Sequence, residues 1–172
     1  MGHVDQAVAQ GRQYLTFTVR GEVLAIPISA IREIIEYRQP TDVPMMPAYV
    51  RGVINLRGKV VPVIDLAVRF GRAAGDVTRR TCIVILEIAQ QAHKLDISVV
   101  VDAVSAVVDI ADADIEPPPE FGAKIRTDFI SGMGKLAGKF VVILDPERVL
   151  SVEELSMHAA MNLEEDPPVV AR

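Results

Sequence analysis

The sequence predicts an all-β fold made of two copies of one small barrel unit, with short helices attached. Three observations predict it. The 172 residues are half apolar yet only 5% aromatic, with no Trp, so the core must be aliphatic and β-branched. The chain also matches itself at an offset of 80 residues: Tyr49-Val50-Arg51-Gly52 faces Phe129-Ile130-Ser131-Gly132, Leu56 faces Leu136, Gly58-Lys59 faces Gly138-Lys139, and Asp65 faces Asp145. After each Gly-Lys pair comes an apolar run, Val60 to Ile64 or Phe140 to Leu144, closed by that Asp; this is the pattern of a buried strand entered through a glycine turn. About five short strands per copy are too few for a sandwich and suit a small closed barrel.

In the first copy Tyr14 to Val19 alternates as a strand, Arg20-Gly21-Glu22 turns it, and Val23 to Ile28 returns. Ser29 then caps a short helix with Ile31, Ile34 and Ile35 on its inner side, more apolar surface than such a helix buries, so one of the three is free to face a partner. Three prolines make Pro40 to Pro47 an extended loop, and strands Tyr49 to Leu56 and Val60 to Asp65 complete the unit, with Pro62 marking an edge or rim. Gly71 to Asp76, polar and glycine-rich, links the copies. The second copy runs through Cys82 to Ile88, a turn near Gln90-Gln91, Lys94 to Val101, Val104 to Ile110, the stiff loop Glu116 to Glu120, then Phe129 to Met133 and Phe140 to Leu144. A weaker echo sets Leu24-Ala25-Ile26 beside Leu95-Asp96-Ile97. The expected limits are 12–70 for the first barrel, 79–145 for the second and 146–162 for a terminal helix docking back through Val152, Leu155 and Ala159. Together these make a 12–160 domain with flexible ends at 1–11 and 163–172.

The net charge is −5, split as +4 over residues 1–80 and −9 over 81–172. Such polarity favours protein partners of complementary charge and disfavours nucleic acid. No apolar run approaches a membrane span and residues 1–10 hold no hydrophobic signal core, so a cytoplasmic protein is expected. Cys82 alone permits no internal disulfide and no cysteine metal cluster.

Catalytic constellations fail one by one. His3, His93 and His158 sit in unrelated segments without ligands at metal spacing, and Cys82 reads as a small apolar strand residue. Gly132 to Lys139 lacks the spacing of a phosphate loop, since Phe140 follows Lys139. Asp109, Asp112, Asp114 and Glu116 lack the glycine and terminal ligand of a calcium loop. What survives is a difference between the copies: Asn55-Leu56-Arg57-Gly58 in the first stands where the second has Lys135-Leu136-Ala137-Gly138. The turn needs its glycine, but not Arg57. That guanidinium suits a carboxylate or carbonyl, either in a bond joining the barrels or on a partner. No cofactor is implied.

Gly52 to Gly58, followed by Val60-Val61-Pro62-Val63-Ile64-Asp65-Leu66, resembles the signature of the CheW family of bacterial chemotaxis coupling proteins. The likeness continues in order through Ile31-Arg32-Glu33-Ile34, Val43 to Pro47, Val101 to Val104, Glu116 to Phe121 and Ile130 to Gly134. It implies two five-stranded SH3-like barrels around a shared hydrophobic core, and a non-enzymatic adaptor that binds the cytoplasmic tip of a chemoreceptor and the regulatory domain of the histidine kinase CheA. Further adaptor copies join the same arrays, which recruit the cytoplasmic protein to the membrane. By motif position the resemblance places Ile31, Asn55, Arg57, Gly58, Val104 and Val107 on the receptor side and Thr41 and Val60 on the kinase side. A regulatory small-molecule module, or an adaptor in a non-chemotaxis array such as pilus motility, is the alternative.

Overall fold

The computed structural model describes residues 11–90, 92–120 and 125–151. Eleven strands lie in two sheets: β1 (Gly11–Val19), β2 (Glu22–Pro27), β3 (Ile31–Glu36), β4 (Val50–Leu56), β5 (Lys59–Asp65), β6 (Cys82–Gln90), β7 (His93–Val101), β8 (Ala103–Ala111), β9 (Ile115–Glu116), β10 (Ile130–Leu136) and β11 (Lys139–Leu144). One-turn helices α1 (Leu66–Arg69) and α2 (Pro146–Val149) follow β5 and β11. The repeated Asp explains itself here, because Asp65 accepts from the Val68 N–H and Asp145 from the Glu147 and Arg148 N–H groups, capping the two helices.

The six-stranded sheet has the order β8-β1-β2-β11-β10-β9 and the five-stranded sheet the order β3-β6-β7-β5-β4. Each therefore draws on both repeats. The expected succession of a 12–70 barrel and a 79–145 barrel is corrected by two parallel pairings, β2 with β11 and β7 with β5, through which the repeats exchange their first hairpins. The exchange keeps the charge contrast of the chain halves in weaker form, +3 over residues 31–101 of the five-stranded sheet (10 Lys+Arg against 7 Asp+Glu) and −3 over residues 11–30 with 102–151 of the other (7 against 10). Ala25 pairs with Ile143 as Ser98 pairs with Val63, so Ala25 is the equivalent of Ser98 and the sequence echo was out by two residues, a shift that preserves the face. Of the expected terminal helix, α2 is described; the capping box and Val152, Leu155 and Ala159 lie outside the described residues, as do 1–10 and 163–172, His3, His158, Gln91 and Phe121.

Both sheets curl until their outer strands come from adjacent stretches of chain. β8 passes through a 3-10 turn, Asp112–Asp114, into β9 at the opposite edge; β3 runs on to Thr41, which exchanges two backbone hydrogen bonds of 2.8 and 2.9 Å with Val53 of β4. These closures need backbone to pass very close to backbone. A Cβ on Gly52, whose φ is +143°, would collide with the Thr41 carbonyl, and one on Gly132 would lie 2.6 Å from Ile115 Cγ2. The matched glycines of the repeat thus make room for the two closures.

Ile31–Glu36 is a strand, not the helix expected after Ser29; only Ile28–Ala30 forms a 3-10 turn. A six-residue stretch rich in Ile fits the free edge of β6, whereas a helix that short has little intrinsic stability. Pro62 lies in an interior strand, but the parallel register with β7 begins only at Val63, so its missing N–H falls where that ladder ends. The main core lies between the sheets and is aliphatic apart from Phe17 and Phe129, with Leu24, Ile26, Ile64, Leu86, Ile97 and Leu144 fully enclosed. Smaller clusters fill each sheet's inner face, around Val61, Val63 and Ile85 in one and Tyr14, Ile110 and Ile143 in the other.

Candidate functional site

The pairing registers set the site residues in equivalent pairs. Ile31 opposes Leu86 as Val104 opposes Phe17, Glu33 opposes Ile85 as Ala106 opposes Thr16, and both β3 and β8 carry a bulge between those positions. Ile31 is therefore the counterpart of Val104, Glu33 of Ala106, and Ile34 of Val107. Ile31 and Val104 both pack, half-buried, against the rim of the shared core. Ile34 and Val107 are exposed, at 42% and 49%. An expected receptor-side pair is thus brought to one core from opposite sheets. The structure adds Ile34, which the helix reading had turned inward.

Arg57 and Gly58 form the two-residue β4–β5 turn with φ of +52° and +87°, a type I′ geometry shared by Ala137-Gly138 and Arg20-Gly21. Asn55 accepts the Gly58 N–H at 2.8 Å through Oδ1 and so tightens the turn. This geometry aims Arg57 at Glu33, where both terminal guanidinium nitrogens meet the carboxylate, Nη1 donating to Oε2 at 3.3 Å and Nη2 to Oε1. The hydrogen bond from Arg57 holds the Glu33 carboxyl below the usual carboxylate range. Arg38 donates to the Asn55 carbonyl at 3.1 Å alongside. Of the two readings left open for Arg57, an internal bond is observed, but it joins β3 to the β4–β5 hairpin within one sheet rather than linking the barrels. Nothing in the sequence spacing marked Glu33 as its partner while β3 was read as a helix.

Thr41 and Val60 flank β4, Thr41 through its bridge to Val53 and Val60 as cross-strand partner of Asn55. Val60 is 71% exposed and its repeat counterpart Phe140 is 53% exposed. The 80-residue match could have found Phe140, since each follows its Gly-Lys pair. The residues expected on the receptor and kinase sides are not separated on this hairpin, because Asn55 and Val60 are neighbours. Val43 and Met45 of the proline loop are also exposed.

Elsewhere the side chains are occupied structurally. Burial, and then Glu36, push the Cys82 thiol above its ordinary pKa, which suits a packed strand residue. Asp109, Asp112, Asp114 and Glu116 are exposed, His93 is exposed, and among the described residues no group of three or more His, Cys, Asp or Glu could hold a metal. Gly132 to Lys139 is strand and turn. No described helix is long and apolar enough to cross a membrane.

The CheW-like domain family matches residues 13–154. The chain is 34% identical to the chemotaxis protein CheW of Klebsiella aerogenes, with 86% of each chain covered, and 32% identical to that of Bacillus subtilis, with 85% and 91% covered. It is also similar to the crystal structure of the scaffolding protein TtCheW from Thermoanaerobacter tengcongensis, at a TM-score of 0.71 and 33% identity over 78% of this chain and 84% of that one.

Proposed function

The chain belongs to the CheW family of chemotaxis scaffold proteins, and on that premise we propose that it is a non-enzymatic adaptor coupling a chemoreceptor's cytoplasmic tip to the regulatory domain of the kinase CheA. One observation carries the proposal. Two equivalent aliphatic residues, Ile31 and Val104, sit at the rim of one core on different sheets, each with an exposed aliphatic neighbour, Ile34 or Val107, three positions on. An amphipathic helix laid across that rim buries its apolar face against side chains already held by the core, so little ordering cost opposes binding. The protein then acts in the cytoplasm, recruited to membrane-associated receptor arrays. On this reading Asn55, Arg57 and Gly58 present a rigid turn beside the rim, and Thr41 and Val60 offer the kinase the exposed surface that adjoins it on either side of β4.

Calorimetric titration of wild type and Arg57→Ala with a receptor-tip fragment, and with a kinase regulatory domain from the same organism, tests the proposal. Saturable binding of wild type to both is expected, with roughly tenfold weaker receptor binding for Arg57→Ala and an unchanged melting temperature, since an exposed ion pair contributes little to stability. Absence of both interactions at high protein concentration overturns the adaptor reading.

A further inference from the structure

Tyr49 and Phe129, repeat counterparts, stand just before β4 and β10, and their carbonyls accept the N–H groups of Asp65 and Asp145 at 2.7 and 2.8 Å. One guanidinium lies against both rings. The central carbon of Arg69, at the end of α1, is 4.6 Å from the Tyr49 centroid and 4.8 Å from that of Phe129; Arg126 lies 4.4 Å from the Phe129 centroid. Arg69 Nε also donates at 2.7 Å to the carbonyl of Val149, the residue equivalent to Arg69 in the other repeat. The one arginine thus bonds its own counterpart.

We propose that Arg69 is a positioning residue that fixes how the two sheets sit against each other, and thereby the shape of the Ile31–Val104 rim that receives the partner helix. The physical reason lies in the core between the sheets. Aliphatic packing is strong but non-directional, whereas a planar cation held against two rings and bonded to a carbonyl specifies both distance and angle. Tyr49, Phe129, Ile31 and Val104 all contact that same cluster, so a displacement at the Arg69 end is transmitted through close-packed side chains to the rim. The effect on binding rests on the adaptor reading, while the effect on sheet orientation does not.

Residual dipolar couplings of backbone amides in wild type, Arg69→Lys and Arg69→Met, with titrations of each by the receptor-tip fragment and the kinase regulatory domain, decide the matter. Arg69→Met is expected to leave the couplings within each sheet consistent with its wild-type geometry but to change the relative orientation of the two sheets beyond experimental error. Arg69→Lys, which keeps the charge but loses the planar fork, is expected to fall between. Receptor-tip affinity should drop by about three- to tenfold in Arg69→Met while kinase binding through the Thr41–Val60 surface stays within about twofold. An unchanged sheet orientation in Arg69→Met overturns the proposal, as does equal loss of both partners. If Arg69→Met fails to fold, wild-type orientation in Arg69→Lys overturns it. A changed orientation with a wild type that binds neither partner leaves the positioning role standing and removes the adaptor reading instead.

Discussion

The two sheets share strand order, bulges and turns, yet close differently. In the five-stranded sheet the closure is polar: Arg57 pairs with Glu33, Arg38 holds the Asn55 carbonyl, and Asp96, nearly buried, meets Lys59 at 3.1 Å and Arg32 at 3.7 Å. In the six-stranded sheet the counterparts of Arg57 and Glu33 are Ala137 and Ala106, and β9 supplies a two-residue pairing with β10 instead of an isolated bridge. One architecture thus closes with an ion pair at the turn residue Arg57 in one sheet and, with alanines at the counterparts of Arg57 and Glu33, with the ion pair of Lys135 and Glu116 at 3.4 Å across the added strand in the other. The Arg57–Glu33 pair itself is not repeated at the counterpart positions of the other sheet, which supports the proposal that Arg57 serves binding.

The closures can be broken unequally. Gly52→Ala should destabilise by about 3 kcal/mol or more, because the added methyl meets Thr41 backbone and φ is +143°, whereas Gly132→Ala should cost about 1–2 kcal/mol, its main clash being with the end of the Ile115 side chain. Urea unfolding of the two variants checks the ratio. Equal losses would mean that the closures are equally constrained.

The repeated aspartates give a second, smaller contrast. Asp65 is buried and paired with Arg51 at 2.8 Å besides capping α1, so Asp65→Ala should cost about 3 kcal/mol. Asp145 makes only cap bonds among those described, so Asp145→Ala should cost about 1 kcal/mol. Parallel thermal melts of the two variants sharpen the comparison, and similar shifts would argue that the Arg51 pair adds nothing.

The smallest expected effect is electrostatic. The Glu33 pKa is depressed by Arg57, so the pair's contribution is present above the ordinary glutamate pKa and is lost as pH falls through the depressed value. Carboxyl carbon titration by NMR should place Glu33 below the ordinary glutamate range in wild type and back toward it in Arg57→Ala. Ala106 and Ala137, at the counterpart positions, carry no charge and should themselves contribute no such pH dependence.

Much of this was legible in the sequence. The 80-residue match located β4, β5, β10 and β11 and their turns, because a two-residue turn with positive φ demands Gly at a fixed place. The hairpin exchange was not legible: identical repeats present the same apolar faces whether a strand pairs within its own copy or with the other, so self-similarity carries no information about which occurs. β3 was misread because Ile34 occupies a solvent-facing position of the strand. Ile31, Ile34 and Ile35 then fit a helical period better than an alternation. The residue that spoiled the pattern is one of those the proposed function uses. Glu33 stayed hidden behind the same misreading.

The exchange of hairpins also sets an order in which the molecule can be completed during its synthesis. Every strand of the five-stranded sheet exists once Val101 has been made, but β1 and β2, the first to emerge, must wait for Lys139–Leu144 before the parallel edge of β2 is covered. The earliest hairpin thus spends most of translation with an open edge, the condition in which strands of neighbouring nascent chains can pair with it.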